Sequence, residues 1–276
     1  MRVGVAVVLV ASLAGAEEPA APAPPKERSP YQLRIDVDVS LLLLGGVLWG
    51  GSSFIGGGEV APPWCGSPTT PPCNPATLNA LDRAAVGLDD GRARLAANIM
   101  AGLVPGAFAL LDVADAGIKN WRGWMTDAVV IAEATLWSGA IQDIVRRAVR
   151  RPRPFMYTLD EEPSQRTGAE ATFSFFSGHT SNTFAMVTAA AFTYQLRHPH
   201  SKWRWLVWSL ALAGATTEPV LRVLAGDHFP TDCIVGAVVG SSVGILFPAI
   251  HRKRLPFRIV GASTSKGSSV GVTGSF

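Results

Sequence analysis

The chain has 276 residues, 48% of them hydrophobic and only 16% charged, with a formal net charge of +3. Soluble domains carry about 25% charged residues, so this composition argues against a purely soluble protein and for a membrane. The small net charge excludes a nucleic-acid binder acting through bulk basicity, and the length suits one large domain or two small ones.

The chain opens MRVGVAVVLVASLAGA, one arginine and then an apolar run closing on Ala14, Gly15 and Ala16. This fits a secretory signal peptide over residues 1–16, with an uncleaved anchor as the alternative. The stretch EEPAAPAPPKERSP follows. Its proline, alanine and mixed charge predict a disordered arm over residues 17–39. A single membrane domain is expected over 40–252 and a tail over 253–276. The Gly-, Ser- and Val-rich end, Ile259–Phe276, suggests no function.

Six stretches approach the ~20 residues that a membrane-crossing helix needs. They are Ser40–Gly58, Leu95–Val113, Trp124–Val145, Thr180–Leu196, Trp203–Leu224 and Ile234–Ile250. Several are rich in Gly and Ala, which allows close helix packing in lipid. Trp121, Trp124, Trp203 and Trp205 stand at segment ends, where interfacial aromatics belong. The expected fold is all-α, a six-helix membrane-embedded bundle with no internal repeat. Asp127 and Glu133 fall within the third stretch and are expected to face the bundle interior and pair there.

Cys65 and Cys73 bracket the loop CGSPTTPPC, a disulfide pair in an oxidising compartment. Cys233 lies in an apolar run and reads as a buried thiol. The basic loops at Lys119 and Arg122, at Arg197–Arg204 and at His251–Arg254 fall on one side, the cytoplasmic one by the positive-inside rule. The cysteine loop, the connection between the third and fourth stretches, and the turn between the fifth and sixth then lie outside. Two features oppose this. The basic run Arg146–Arg153 would lie outside, and a cleaved signal would start the mature chain outside where six spans need it inside. Either residues 1–16 stay attached or Ser40–Gly58 does not cross; the sequence leaves both open.

Three stretches carry chemistry. The first, RRAVRRPRP at 146–154, holds five arginines. Arg146 and Arg150 would share a helical face if the third helix continued, and Pro152 and Pro154 would end it. Guanidinium groups pair two oxygens of a phosphate at once, although such a run also suits lipid headgroups. The second, FSFFSGHT at 173–180, places Ser177, Gly178 and His179 before a long apolar helix. N–H groups at a helix start hold anions, and His179 there can protonate a leaving oxygen; the plainer reading is an ordinary serine or threonine cap. The third, LRVLAGDHFPTD at 221–232, puts His228 and Asp232 four apart. A carboxylate there can hold one ring nitrogen protonated and leave the other to attack. Glu218, four before Arg222, is expected to pair with it. A metal site on Asp227, His228 and Asp232 is the rival reading, without a second histidine or a zinc-type spacing to support it.

Taken together, the three stretches resemble the superfamily of type 2 phosphatidic acid phosphatases, bacterial acid phosphatases and vanadium haloperoxidases. That family's signature is K-x6-RP, PSGH and SR-x5-H-x3-D. Here it reads Arg146 with Arg153-Pro154, Phe176-Ser177-Gly178-His179, and Leu221-Arg222 with His228 and Asp232. Arg146, Phe176 and Leu221 depart from Lys, Pro and Ser. The resemblance is strong over Arg146–Gly240 and implies a bundle of this family's kind, with His228 as the nucleophile forming a phosphohistidine, Asp232 orienting it and His179 as general acid. Arg146, Arg153, Ser177, Gly178 and Arg222 would bind the phosphate. It implies no metal and no other cofactor, an amphiphilic phosphorylated lipid as substrate and membrane lipid as surroundings, with no nucleic acid. The expected location is a bacterial inner membrane, crossed several times, with the site facing the periplasm. The alternatives are a vanadium-dependent haloperoxidase and a non-enzymatic protein binding anionic lipid. Oligomeric state is not readable.

Overall fold

A computed structural model of the chain describes residues 29–51, 65, 73–117, 120–158, 169–253, 257–264 and 267–274. The signal peptide expected at residues 1–16 lies outside the described residues. Among these, six long helices form the body: α1 Ile35–Gly51, α2 Gly91–Asp112, α3 Trp121–Val149, α4 Gly178–Arg197, α5 Trp203–Leu224 and α6 Pro230–Ile250. All six overlap the stretches read from sequence.

Helix α4 is the central element, packed against α2, α3, α5 and α6, while α1 lies on α3. Its buried face is built from Ala185, Val187, Ala189, Ala190 and Ala191 with buried Thr180, Thr183, Thr188 and Thr193, small residues that let other helices approach. The approach of α6 is closest. A Cβ placed on Gly240 would lie 2.1 Å from the Ser181 carbonyl oxygen, and one on Gly244 would lie 2.1 Å from the Thr188 hydroxyl. Outward, α2 exposes Leu95, Ile99, Leu103 and Leu110, and α6 exposes Ile234, Val238 and Leu246. Such a face suits hydrocarbon rather than water. Three segments, Gly91–Ala116, Trp121–Tyr157 and Pro230–Ile250, are long and apolar enough to cross a bilayer, and the chain is a membrane protein.

Two local readings need correction. The part of the expected arm that is described is ordered: Tyr31 pairs with Arg252, the Gln32 N–H donates to the His251 carbonyl at 2.9 Å, and α1 begins at Ile35. Tyr31 is buried and its hydroxyl bonds Thr193 at 2.7 Å, which holds this segment against α4. Arg150 does not extend the face of Arg146. It caps α3 in the left-handed conformation at φ 51°, as residues just past a helix often do, and the chain then turns away through Arg151–Arg153. At the C-terminus, strands β1 Phe257–Thr264 and β2 Gly267–Gly274 pair antiparallel, Phe257 opposite Gly274. The expected cysteine pair forms a disulfide, Cys65–Cys73, and Cys233 is a buried free thiol.

Candidate active site

The three sequence stretches meet at one end of the bundle, where the C-terminus of α3 and the N-termini of α4 and α6 lie together. A cavity of about 410 Å³ opens there, lined by Arg146, Arg153, Gly178, His179 and His228 among others. Asp232, Ser177 and Arg222 stand behind that lining.

Gly226, in the turn leading to His228, has φ +70°. A Cβ there would lie 2.0 Å from the Leu88 carbonyl oxygen, so both conformation and space require glycine. His228 follows, buried, with Nδ1 2.9 Å from the Ser174 carbonyl oxygen. A carbonyl only accepts, so Nδ1 carries the proton and Nε2 of the neutral ring keeps its lone pair. The partner expected for this nitrogen was Asp232, whose Oδ2 stands 3.8 Å away. Asp232 acts one step removed: it accepts from the Ser174 hydroxyl at 2.5 Å, from the Phe229 N–H at 3.0 Å and from Arg151 at 2.6 Å. It thereby fixes the segment whose carbonyl holds the ring.

The arginines divide into two groups. Arg146 and Arg153 line the cavity, and both meet exposed Glu170, at 3.4 and 3.2 Å. Arg153 also donates to the carbonyls of Glu170 at 2.8 Å and Asp227 at 3.1 Å. Arg222 is buried behind them, donating to Glu218 at 2.7 Å, Asp227 at 3.1 Å and Asn98 at 2.8 Å. Its pairing with Glu218 is as expected. A guanidinium has five N–H donors, so these three bonds leave two for a ligand. Sequence reasoning passed over Arg151, which ties the floor of the site together: it donates to Asp232, to Thr231 at 2.8 Å and to Asp82 at 2.7 Å. Nothing local could have paired Asp82 with it, 69 positions away.

Ser177 caps α4 through its side chain, and its N–H donates to the Asp232 carbonyl at 3.1 Å. It is fully buried. Gly178 lies against Gln142, whose side chain a Cβ would approach to 3.0 Å. His179 stands at the helix start, one residue before the span expected at Thr180–Leu196. Burial, then the positive field of Arg222 and Arg153, pushes its pKa down to about 4, so its ring is neutral at pH 7. Asp227 is raised by burial but lowered more by its bonds to Arg94 and Arg222, and the balance holds it below the usual carboxylate range.

The cavity continues into an apolar groove of about 880 Å³ between α2, α3 and α4, lined by Leu103, Leu110, Trp124 and Ile131 among others. Thr135 and Met186 border both. The disulfide lies at this same end, the Cys73 N–H donating to the Met156 carbonyl at 2.9 Å, and Cys73 packs in one cluster with Met156, Tyr157 and Phe229.

The fold and site together define a helical membrane protein with an arginine- and histidine-lined pocket. Residues 127–256 match the model of the PAP2 superfamily. A solved structure similar to this chain is that of "the first transmembrane PAP2 type phosphatidylglycerolphosphate phosphatase from Bacillus subtilis". It has 22% sequence identity and a TM-score of 0.46, the alignment covering 77% of this chain and 94% of that one. No curated protein matches the chain.

Proposed function

We propose that the chain is a phosphatase acting on a lipid phosphate or pyrophosphate, with His228 as nucleophile. One observation carries this reading: the Ser174 carbonyl fixes the proton on His228 Nδ1 and leaves Nε2 as the nucleophilic nitrogen in a cavity bordered by arginines. Arg146, Arg153 and the remaining donors of Arg222, with the N–H groups at the start of α4, hold the phosphoryl oxygens. Attack by Nε2 forms an N–P bond as the P–O bond to the lipid breaks, and the leaving oxygen takes its proton from His179. Water then attacks phosphorus, His179 removes its proton, and the N–P bond breaks to release phosphate. Asp232, Ser177 and Arg151 position these groups from behind. The chemistry assigned to this pocket uses only these side chains.

The apolar groove beside the cavity supports an amphiphilic substrate whose chain lies between α2, α3 and α4 while its phosphate reaches His228. The disulfide at the site end supports an oxidising exterior, hence a multi-pass protein of a bacterial inner membrane with the site facing the periplasm. The test is phosphate release in detergent from a panel of lipid phosphates, beside His228→Ala. Release that the substitution abolishes is expected; release that persists in a folded His228→Ala protein overturns the assignment.

A further inference from the structure

We infer that Asp38, Glu133 and His251 form a second site, one that binds a divalent transition-metal cation of the Zn2+ type and clamps α1, α3 and the end of α6. The three are buried, and one ligand atom from each lies within 4.8 Å of the other two. His251 Nδ1 lies 2.7 Å from the Phe247 carbonyl oxygen, so Nδ1 bears the proton and Nε2 is the ligand nitrogen. That Nε2 stands 3.0 Å from Asp38 Oδ1 and 3.2 Å from Glu133 Oε2. Two bonds of 2.0–2.1 Å at a tetrahedral angle place their ligand atoms about 3.3 Å apart, close to these separations.

Charge and hydrogen bonding point the same way. Two carboxylates face one imidazole, which carries at most a single positive charge, so the cluster is short of cation. Glu133 is fully buried, and its Oε1 has no hydrogen-bond partner among the described residues. A buried polar atom left this way is costly. A divalent cation balances both carboxylates and gives Oε1 a place at or beside the metal. The outer contacts are in place: Asp38 Oδ2 accepts from the Arg34 N–H at 2.6 Å, and the Phe247 carbonyl fixes the imidazole. A mixed imidazole and carboxylate set suits Zn2+ or Co2+ better than Mg2+ or Ca2+, which take oxygen.

The cluster is remote from the phosphate cavity. Glu133 is 13 residues from Arg146 along α3, about 20 Å at helical rise, and His251 lies 19 residues beyond Asp232, about 28 Å. The cation is therefore assigned to holding the bundle's other end, and its removal leaves the chemistry at His228 in place while the protein stays folded.

The test uses full-length protein in detergent, purified without a polyhistidine tag, stripped with EDTA and desalted. Adding Zn2+ is expected to restore one equivalent per chain and to raise the melting temperature by about 5 °C or more, through binding to the folded state alone. Co2+ in its place is expected to give a visible ligand-field band. Glu133→Gln keeps the side-chain shape and leaves His251 and Asp38 as a balanced pair. It is expected to melt no lower than stripped parent protein while losing both the equivalent and the melting shift. Were that variant not to fold, His251→Gln replaces it with the same expectation. Less than a tenth of an equivalent on the parent, with no melting shift and no Co2+ band, overturns the site. Binding that survives equally in the variants overturns it too, because the cation would then sit elsewhere.

Discussion

The two ends of the bundle handle buried charge in opposite ways. At the end holding His228, buried and half-buried carboxylates meet arginines: Asp232 and Asp82 share Arg151, Asp227 lies between Arg94 and Arg222, and Glu218 pairs with Arg222. At the far end, Asp38 and Glu133 converge on the one imidazole of His251, whereas Asp127 at the same end has its own partner in Arg197. In a low-dielectric interior an unbalanced charge is expensive. An arginine-rich end that already satisfies its carboxylates is prepared to receive added negative charge. The Asp38–Glu133 cluster, which has no such partner among the described residues, is prepared to receive a cation.

The largest effect that would sharpen this contrast is at the nucleophile. His228→Ala is expected to lower turnover about a thousandfold or more, measured by phosphate release, with little change in the Zn2+-dependent melting shift. Loss of that shift would break the separation of the two ends.

Next comes His179. Its substitution by Gln is expected to cost about 10²–10⁴-fold on an alkyl lipid phosphate. The cost should be far smaller on an aryl phosphate, whose leaving group needs no proton. Equal losses on both would remove His179 from the general-acid role. The pH dependence follows from the same ring. With the free-enzyme pKa near 4, the ring is uncharged at neutral pH and lacks the second proton that a general acid gives up, so that proton must enter on the substrate. The value of kcat/KM is therefore expected to fall above about pH 6, where a phosphate monoester loses its second proton. A profile flat to pH 8 would contradict this.

Smaller effects test packing and local charge. Gly240→Ala places a Cβ against the Ser181 carbonyl, and about 1–3 kcal/mol of destabilisation is expected from thermal or denaturant melting. Asp82 is raised by burial but lowered more by Arg151 and Thr231, leaving it below the usual carboxylate range. Its contribution to stability is thus full above about pH 4 and lost as pH falls through the lowered value. Melting temperature should drop on acidification below pH 4, less steeply in Asp82→Asn. The smallest effect is at the mouth. Glu170 occupies both cavity arginines, so Glu170→Gln is expected to lower KM about threefold with kcat nearly unchanged. A rise in KM would mean that Glu170 holds the arginines in place instead of competing with phosphate.

Much of this was legible from local pattern. Helix α5 runs Trp203–Leu224, as its apolar run and flanking tryptophans indicate. The spacings Arg146 to Arg153, Ser177 to His179, and Arg222 to His228 and Asp232 pick out residues that do gather at one end of the bundle. What escaped depends on distance in sequence or on the backbone. Arg151 reads as one more arginine in a basic run until Asp82 and Asp232 close on it. The Ser174 carbonyl, which takes the place expected for Asp232 beside His228, has no side-chain signature. Asp38 and His251 are 213 positions apart, and only the folded bundle brings them to Glu133.

The role of His228 is tested most directly by mixing the protein with a lipid phosphate labelled in its phosphoryl group, quenching in alkaline detergent during turnover and mapping the label. A phosphohistidine intermediate requires label on His228, stable in base and lost in acid, as a phosphoramidate bond behaves. Turnover with no label on His228 under any quench, or label on another residue, would contradict it.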